Sequence, residues 1–494
     1  MADNVSFRDI PADVVVPGQF IEIDSSRADN GTPPIPRKII IMGQKLPTGT
    51  AVTLVPTEVP VGTVDQVVQL GGRGSLLAQM AAEAFKANPY GKFTVIAADD
   101  LVAGVAATGS IVVTGPAVES GTIALYVDAT LVQVGVTKGD TGIQIAANIA
   151  TQINANPDLP LSVPVAPTTA TLALVAKHKG ECGNDLDVRY SFYLGQNLPS
   201  GVTLAVTAMA GGTGNPDVGP LLAAIKGDDR IVLISPWTDS SNVPKIEADF
   251  SDRYGPMKQQ ESHCFGCISG TYATLVTYGS ARNSPHVSIV TREGNMVAPW
   301  RIAASVAGLC SLRGSADPAR PFFGMVLPGI PAPAESVRFD QPTRNNLLKY
   351  GVSTLRYDAG GNVMIEMVTT TYKTNSFGVP TRAYFKLQSK WTADYFRYAW
   401  KVLIATRYPD FKLADDGTNF APGQPIVTPS VLRIETIGLA RTLEYAGIIE
   451  NVDEFKKTLL ILRSIANPNQ VNAVASPNLV NQFDIFAAAV KFIN

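Results

Sequence analysis

The sequence predicts an α/β (α+β multidomain) fold: an α/β core sheet, a mostly β inserted domain, an α+β C-terminal domain, and extended strand arms at the N- and C-termini. Three observations predict it. Strand–helix–strand alternation occurs on both sides of residues 104–212. Within that stretch the texture changes to short apolar runs divided by Gly-rich turns. Both ends of the chain are apolar, extended in pattern and without a local partner. The expected boundaries are 1–30 for the N-terminal arm, 31–103 with 213–334 for the core, and 104–212 for the insertion. Residues 335–480 are expected to form the C-terminal domain and 481–494 the C-terminal arm. A length of 494 residues fits roughly two to four domains.

In the N-terminal arm, Pro11 and Pro17-Gly18 exclude a helix, Val14 to Val16 are apolar, and Phe20 to Asp24 alternate as a strand does. The stiff segment Thr32-Pro33-Pro34-Ile35-Pro36 then separates the arm from the first core strand. Val14, Val16, Phe20 and Ile23 are its candidate assembly residues; pairing within its own domain is the alternative. The core opens with a buried strand at 38–42, a helix at 75–87 capped by Ser75, and a strand at 92–97. Leu76, Met80, Ala84 and Ala87 share one face of that helix.

The insertion reads as SIVVTG, TIALYVD, LVQVGV, TLALVAKH, DLDVRYSFY and VTLAVTAMA, interrupted by one amphipathic helix. Asp140 or Thr141 caps that helix, Ile145, Ile149 and Ile153 line one side, and Asn156-Pro157 stops it. Alternation then resumes, with strands at 230–235, 263–269 and 286–291 and helices at 244–253, 271–282 and 299–312. Beyond residue 335 come a short helix at 341–350, a hairpin of 352–357 with 362–370, long helices at 389–405 and 429–445, and strands at 457–463 and 470–475. The last segment, NQFDIFAAAVKFIN, is apolar on both sides if extended. Left free it would be sticky. Phe483, Ile485, Phe486, Val490 and Phe492 are its candidate assembly residues, docked on their own domain or on a neighbour.

Composition narrows the function. Forty basic against 42 acidic residues exclude a general nucleic-acid binder. Charged residues are only 17% and mean hydropathy lies slightly above zero, so apolar surface has to be placed, and contacts between subunits are one place for it. No stretch is long and apolar enough for a membrane span, and MADNVSFRDIPADVV has neither the basic start nor the apolar block of a secretory leader. Cys182, Cys264, Cys267 and Cys310 form no disulfide framework and suit a reducing cytoplasm.

A search for chemistry yields no catalytic, cofactor-binding or metal-binding set. Gly71–Ser75 lacks phosphate-loop spacing and reads as a turn into a capped helix. Cys264 and Cys267 lie within an apolar strand that would turn their sulfurs to opposite faces, and no second ligand pair exists. Asp99-Asp100, after a strand, reads as a capping pair. There are three histidines and no GxSxG elbow, which speaks against a hydrolase on the α/β core. Lys390, Arg397 and Lys401 fall on one helical stripe, a solvated face or a candidate surface for an acidic partner.

Four sets of residues, in order along the chain, resemble one family. They are Ile10-Pro11-Ala12-Asp13 through Val16-Pro17-Gly18 and Glu22–Ala28; Gly72-Arg73-Gly74-Ser75-Leu76-Leu77-Ala78 followed by Ala97-Ala98-Asp99-Asp100; Lys177-His178-Lys179-Gly180-Glu181 with Gly183-Asn184-Asp185; and Asn469–Ala473 with Leu479-Val480-Asn481-Gln482 and Phe486-Ala487. Together the chain resembles the contractile tail sheath proteins of Mu-like (myovirus-type) bacteriophages over nearly its whole length. It departs at Ala475-Ser476-Pro477, where a double proline is common, and at the closing KFIN.

The resemblance implies a virion subunit, not an enzyme, with no cofactor. It implies six-fold rings of copies around a tail tube, arms that add strands to neighbouring subunits, and contraction that drives the tube through the host envelope for genome ejection. The implied partners are the chain itself, the tail tube protein, and the baseplate and tail terminator proteins, with assembly in the host cytoplasm. Lys390, Arg397 and Lys401 would then face the tube. A phage-tail-like bacteriocin sheath is the nearest alternative; a hydrolase or a surface adhesin belongs to a different class.

Overall fold

A computed structural model of the chain describes residues 37–60, 63–421 and 423–492. The expectations for Val14, Val16, Phe20 and Ile23 lie outside the described residues. The chain forms two compact units that divide between residues 390 and 391.

In the larger unit the KIIIM run becomes β1 (Lys38–Gln44), followed by β2 (Thr57–Val59), α1 (Val64–Gly71), α2 (Leu76–Ala87) and β3 (Lys92–Ala98). Ile39 to Met42 are all buried, as in a strand covered on both faces. Ser75 caps α2, its hydroxyl accepting the Ala78 N–H at 3.1 Å, and the face of Leu76, Met80, Ala84 and Ala87 is buried.

The insertion contributes β4 (Ala106–Thr114), β5 (Gly121–Val127), β6 (Thr130–Val136), α3 (Gly142–Ala155), β7 (Leu161–Ser162), β8 (Thr171–Lys179), β9 (Val188–Tyr190) and β10 (Thr203–Ala210). These form a four-stranded sheet, β10-β4-β8-β7, and a three-stranded one, β6-β5-β9. Of the two candidate caps, Thr141 takes the role in a capping box with Gln144, and Ile145, Ile149 and Ile153 are buried. The chain enters and leaves at one point. Val105 and Thr213 exchange backbone hydrogen bonds of 2.9 and 3.1 Å. A Cβ built on Gly214 would lie 2.9 Å from the Gly104 Cα.

The core then resumes with α4 (Val218–Ala224), β11 (Ile231–Ile234), α5 (Val243–Tyr254), β12 (Ser262–Ile268), α6 (Tyr272–Ser280), β13 (Val287–Thr291), α7 (Pro299–Ala316), β14 (Val326–Pro331), α8 (Gln341–Lys349), β15 (Val352–Tyr357) and β16 (Asn362–Met367). One nine-stranded sheet results, in the order β14-β16-β15-β13-β12-β11-β1-β3-β2. Its centre is parallel and its edges, β2, β14 and β16, are antiparallel. This moves the expected boundary at residue 335. The hairpin of β15 and β16 is no part of a C-terminal domain, because β15 pairs in parallel with β13, Ile289 opposite Val352, and so extends the core sheet. Helices α2 and α7 pack on each other at Gly308, whose Cβ would stand 2.8 Å from that of Ala87.

The smaller unit begins within α9 (Leu387–Arg407) and continues through β17 (Lys412–Leu413), β18 (Ile426–Val427), α10 (Pro429–Tyr445), β19 (Ile449–Glu450), α11 (Val452–Thr458), β20 (Leu460–Arg463), β21 (Val471–Val474) and β22 (Asn478–Leu479). Tyr395, Phe396, Ala440, Leu443, Ile449, Phe455 and Ile461 share its core. The strand expected from Lys457 starts later. Asn451, at φ +60, launches α11, and the ion pairs Asp453–Lys456 and Glu454–Lys457 sit one helical turn apart.

Candidate assembly interface

β22 is the last strand of the smaller unit among the described residues. β22 pairs with β19, and the Val480 N–H donates to the Ile448 carbonyl at 3.1 Å. From Asn481 to Phe492 the chain has no regular structure, and no strand pairs with it among the described residues. Phe483 is 79% exposed, Ile485 83%, Phe486 80%, Val490 86% and Phe492 82%. The strand covered on both faces that the sequence predicts is therefore not made among the described residues of this chain. Fully burying such side chains is worth ~1.5–3 kcal/mol each, a large driving force left unused in the single copy.

The same unit also presents an open β ribbon. β20 and β21 pair only with each other among the described residues, Leu460 opposite Val474 and Arg463 opposite Val471. Ile461 points into the core, while Leu460, Leu462 and Val474 are exposed. Sheet edges of this kind accept a further strand through their backbone groups.

Of the stripe on α9, Lys401 is exposed and Arg397 half-buried. Lys390 is a correction: it is 1% exposed, its ammonium 5.0 Å from the Tyr254 ring centroid, so it is no part of a solvent-facing stripe. Helical spacing gave its side of the helix but not what covers that side.

The motifs at residues 72–100 and 177–185 meet in space, which their spacing in the chain does not reveal. His178 Nδ1 lies 2.8 Å from Asp100, and its Nε2 accepts the Leu76 N–H at the start of α2. Asp100 also takes the Lys179 N–H at 2.9 Å and the Gln44 side chain at 2.7 Å. Burial opposes ionisation of Asp100, but His178, Lys179 and Gln44 together hold it below the usual carboxylate range. Arg73 forms a two-bond pair with Asp158, and Lys177 donates to the Arg73 carbonyl at 3.4 Å. A second anchor is Asp128, on the turn between β5 and β6, which accepts the Ala298 N–H at 2.7 Å and pairs with Arg301, itself bonded to Glu83. These contacts dock the insertion on the core.

They also bear on catalysis. His178 has both ring nitrogens engaged, and His263 and His286 are buried, so no histidine is placed as a base toward solvent. Burial pushes the Cys182, Cys264, Cys267 and Cys310 thiols above their ordinary value, the opposite of an activated nucleophile. Among the described residues, no three His, Cys, Asp or Glu side chains group to hold a metal, and no helix is long and apolar enough to cross a membrane.

The comparisons with known proteins agree with one another. Residues 211–371 match the phage tail sheath protein central domain, and 380–493 match the phage tail sheath C-terminal domain. A Mu-like prophage FluMu tail sheath protein from Haemophilus influenzae is 36% identical over 491 residues, covering 99% of this chain and all of the relative. The chain belongs to the phage tail sheath family. This sheath protein is thus a structural subunit of a phage tail, a virion component, and not an enzyme. Its fold is similar to that of the anti-feeding prophage helical sheath in its contracted state, with a TM-score of 0.50 at 11% identity over 97% of this chain and 99% of that one. A sheath tail protein from Listeria innocua aligns with a TM-score of 0.49 at 15% identity, over 92% and 94% of the two chains.

Proposed function

We propose that copies of this sheath protein polymerise through their arms into a six-fold helical sheath around a tail tube, and that the sheath contracts to drive the tube through the host envelope during genome ejection. The observation that carries this reading is the C-terminal segment, whose aromatic and aliphatic side chains stand in solvent in the single copy. Head-to-tail contacts that do not close on themselves generate a helix. A strand added in trans holds by backbone hydrogen bonds while the domains it links reorient. Val14, Val16, Phe20 and Ile23 are the corresponding residues of the N-terminal arm, and the open ribbon of β20 and β21 is a receiving surface for such strands. Contraction needs no nucleotide: subunits held in a weaker packing at assembly move to a tighter one.

Lys401, with Arg397 beside it, is the candidate contact to the tube. Baseplate and tail terminator proteins are the partners at the two ends, and assembly takes place in the host cytoplasm. The full-length Mu-like prophage relative favours a phage tail over a bacteriocin sheath.

The test is electron microscopy of the purified chain with and without residues 481–494. The full chain should form striated hollow tubes. The truncated chain should remain a monomer by size exclusion with an unchanged circular dichroism spectrum. Tubes from the truncated chain would refute the role given to the C-terminal arm, and a full chain that never polymerises would refute the reading as a whole.

A further inference from the structure

After β16 the chain makes a loop, 371–386, whose tip is fixed by hydrogen bonds while its largest side chain stands in solvent. Asn375 Oδ1 accepts the N–H groups of both Phe377 and Val379, each at 3.0 Å. The Asn375 N–H donates to the Val379 carbonyl and the Gly378 N–H to the Asn375 carbonyl, each at 2.9 Å. The residue types suit the turn: the Asn side chain stands in for a backbone acceptor, and Gly378 sits at φ +75. Below the tip, Thr374 bridges Pro380, and the Thr381 N–H donates to the Lys373 carbonyl at 2.9 Å. Asn283 ties this stem to the core, its Oδ1 accepting the Lys373 N–H at 2.7 Å and the Thr374 N–H at 3.1 Å. Thr371 exchanges two hydrogen bonds with the Ser284 backbone and donates its N–H to Val287, the first residue of β13.

On this mount Phe377 is 88% exposed and Val379 55%. The turn holds Phe377 through its backbone, so it would form with another side chain there. A large aromatic on a backbone already set is the arrangement of a binding hot spot, because the loop has no ordering left to undergo on contact. The tip at 372–379 also lies between the two regions matched to sheath domains, which end at 371 and resume at 380.

Charge indicates the occupant. Residues 367–389 hold Lys373, Arg382 and Lys386 and no Asp or Glu. Lys373 donates to the neutral Gly279 carbonyl, which leaves its charge uncancelled there. Removing those three from the 40 basic residues of the chain leaves 37 against 42 acidic ones, so the remainder of every copy is net negative. A basic-flanked aromatic is steered toward such a surface, and an array of identical subunits offers it at every position.

We propose that this tip is a plug by which one copy holds another, with Phe377 entering an apolar hollow on the neighbour's acidic surface. The proposal rests on the reading that copies polymerise, and it adds a contact separate from the arms.

The test replaces Phe377 in the full-length chain with the photo-crosslinking residue p-benzoylphenylalanine and irradiates sheaths assembled together with the tail tube protein of the same phage. A cross-linked dimer of this chain should appear on a denaturing gel, and should be absent at concentrations too low for assembly. Sheaths that give no such dimer, or a cross-link to the tube protein instead, would overturn the plug while leaving the sheath reading standing. Wild-type chain that forms no tubes would overturn both. As a second measurement, Phe377→Ala should leave Tm and the circular dichroism spectrum unchanged and raise the concentration at which tubes appear at least tenfold. Asn375→Ala, which keeps the ring and loosens the turn, should shift it the same way by a smaller factor. Tubes from Phe377→Ala at the wild-type concentration would also overturn the plug.

Discussion

Glu293 shows how one buried carboxyl couples this fold to pH. It follows β13 at φ +51, is 2% exposed, and accepts the Tyr357 hydroxyl at 3.0 Å, while the Arg338 guanidinium lies 4.8 Å from the centre of the Tyr357 ring. Burial pushes Glu293 up to about 7, with the Tyr357 O–H and the Phe339 N–H pulling the other way. The unfolded carboxyl titrates near 4.5. Between those values the folded state binds the extra proton, so its stabilising contribution is complete below about 4.5 and is lost as pH rises toward 7. Glu293→Gln should therefore flatten the decline of Tm across that window and stabilise the chain at pH 8 by up to about 3 kcal/mol. A Tm–pH curve parallel to that of the wild type would contradict this. Arg301 poses the opposite case, a buried cation shared by Glu83 and Asp128, each 1% exposed. Arg301→Ala strands two carboxylates and should cost about 3–5 kcal/mol in urea denaturation; a loss under about 1 kcal/mol would mean that the pair is solvated in solution.

At the scale of elements, Gly308 and Gly438, two of the helical glycines, make a matched pair of opposite sign. Gly308 lies where α7 crosses α2, against the Ala84 carbonyl and the Ala87 Cβ, so Gly308→Ala should lower stability by about 1–3 kcal/mol through overpacking. Gly438, open to solvent on α10, should gain about 0.5–1 kcal/mol as Gly438→Ala in the monomer, from helix propensity alone. Chemical denaturation of both variants at a concentration below assembly checks the pair; shifts of the same sign would refute it. The elements that sequence made legible were those whose pattern repeats. The apolar run of β1, the Ile145–Ile149–Ile153 stripe of α3 and the caps Ser75 and Thr141 each carry their own physical signature. The elements it missed are short or set by tertiary pairing. β2 and β14 are edge strands held by a neighbour, with Pro328 and Pro331 in the latter, and α1, α4 and α11 are too brief to show a period.

For the whole molecule, the order of parts was legible and their grouping was only partly so. The change in texture at either end of 104–212 matches strands that form two sheets of their own, β10-β4-β8-β7 and β6-β5-β9, within the same compact unit as the core sheet. That β15 and β16 complete the core sheet does not follow from texture, because a hairpin looks the same in sequence whether or not its outer strand finds a parallel partner such as β13. The apolar tail stood out by composition, yet composition left its partner open. His178 with Asp100 and Arg73 with Asp158 were each visible as motif residues or their near neighbours. Their meeting is long-range, decided by tertiary packing within the larger unit, and no local period encodes it.

The adjoining ends of the insertion, at Gly104 and Gly214, have an effect on how such a chain varies. To the core sheet, everything in between is one loop whose stems already touch, so β3 and β11 keep their places whatever that loop contains. Closing a longer loop costs only about 0.6 kcal/mol for each doubling of its length. The module can therefore be trimmed, enlarged or exchanged without renegotiating the frame that carries it, provided that the replacement still meets Asp100 and Arg301 with suitable partners.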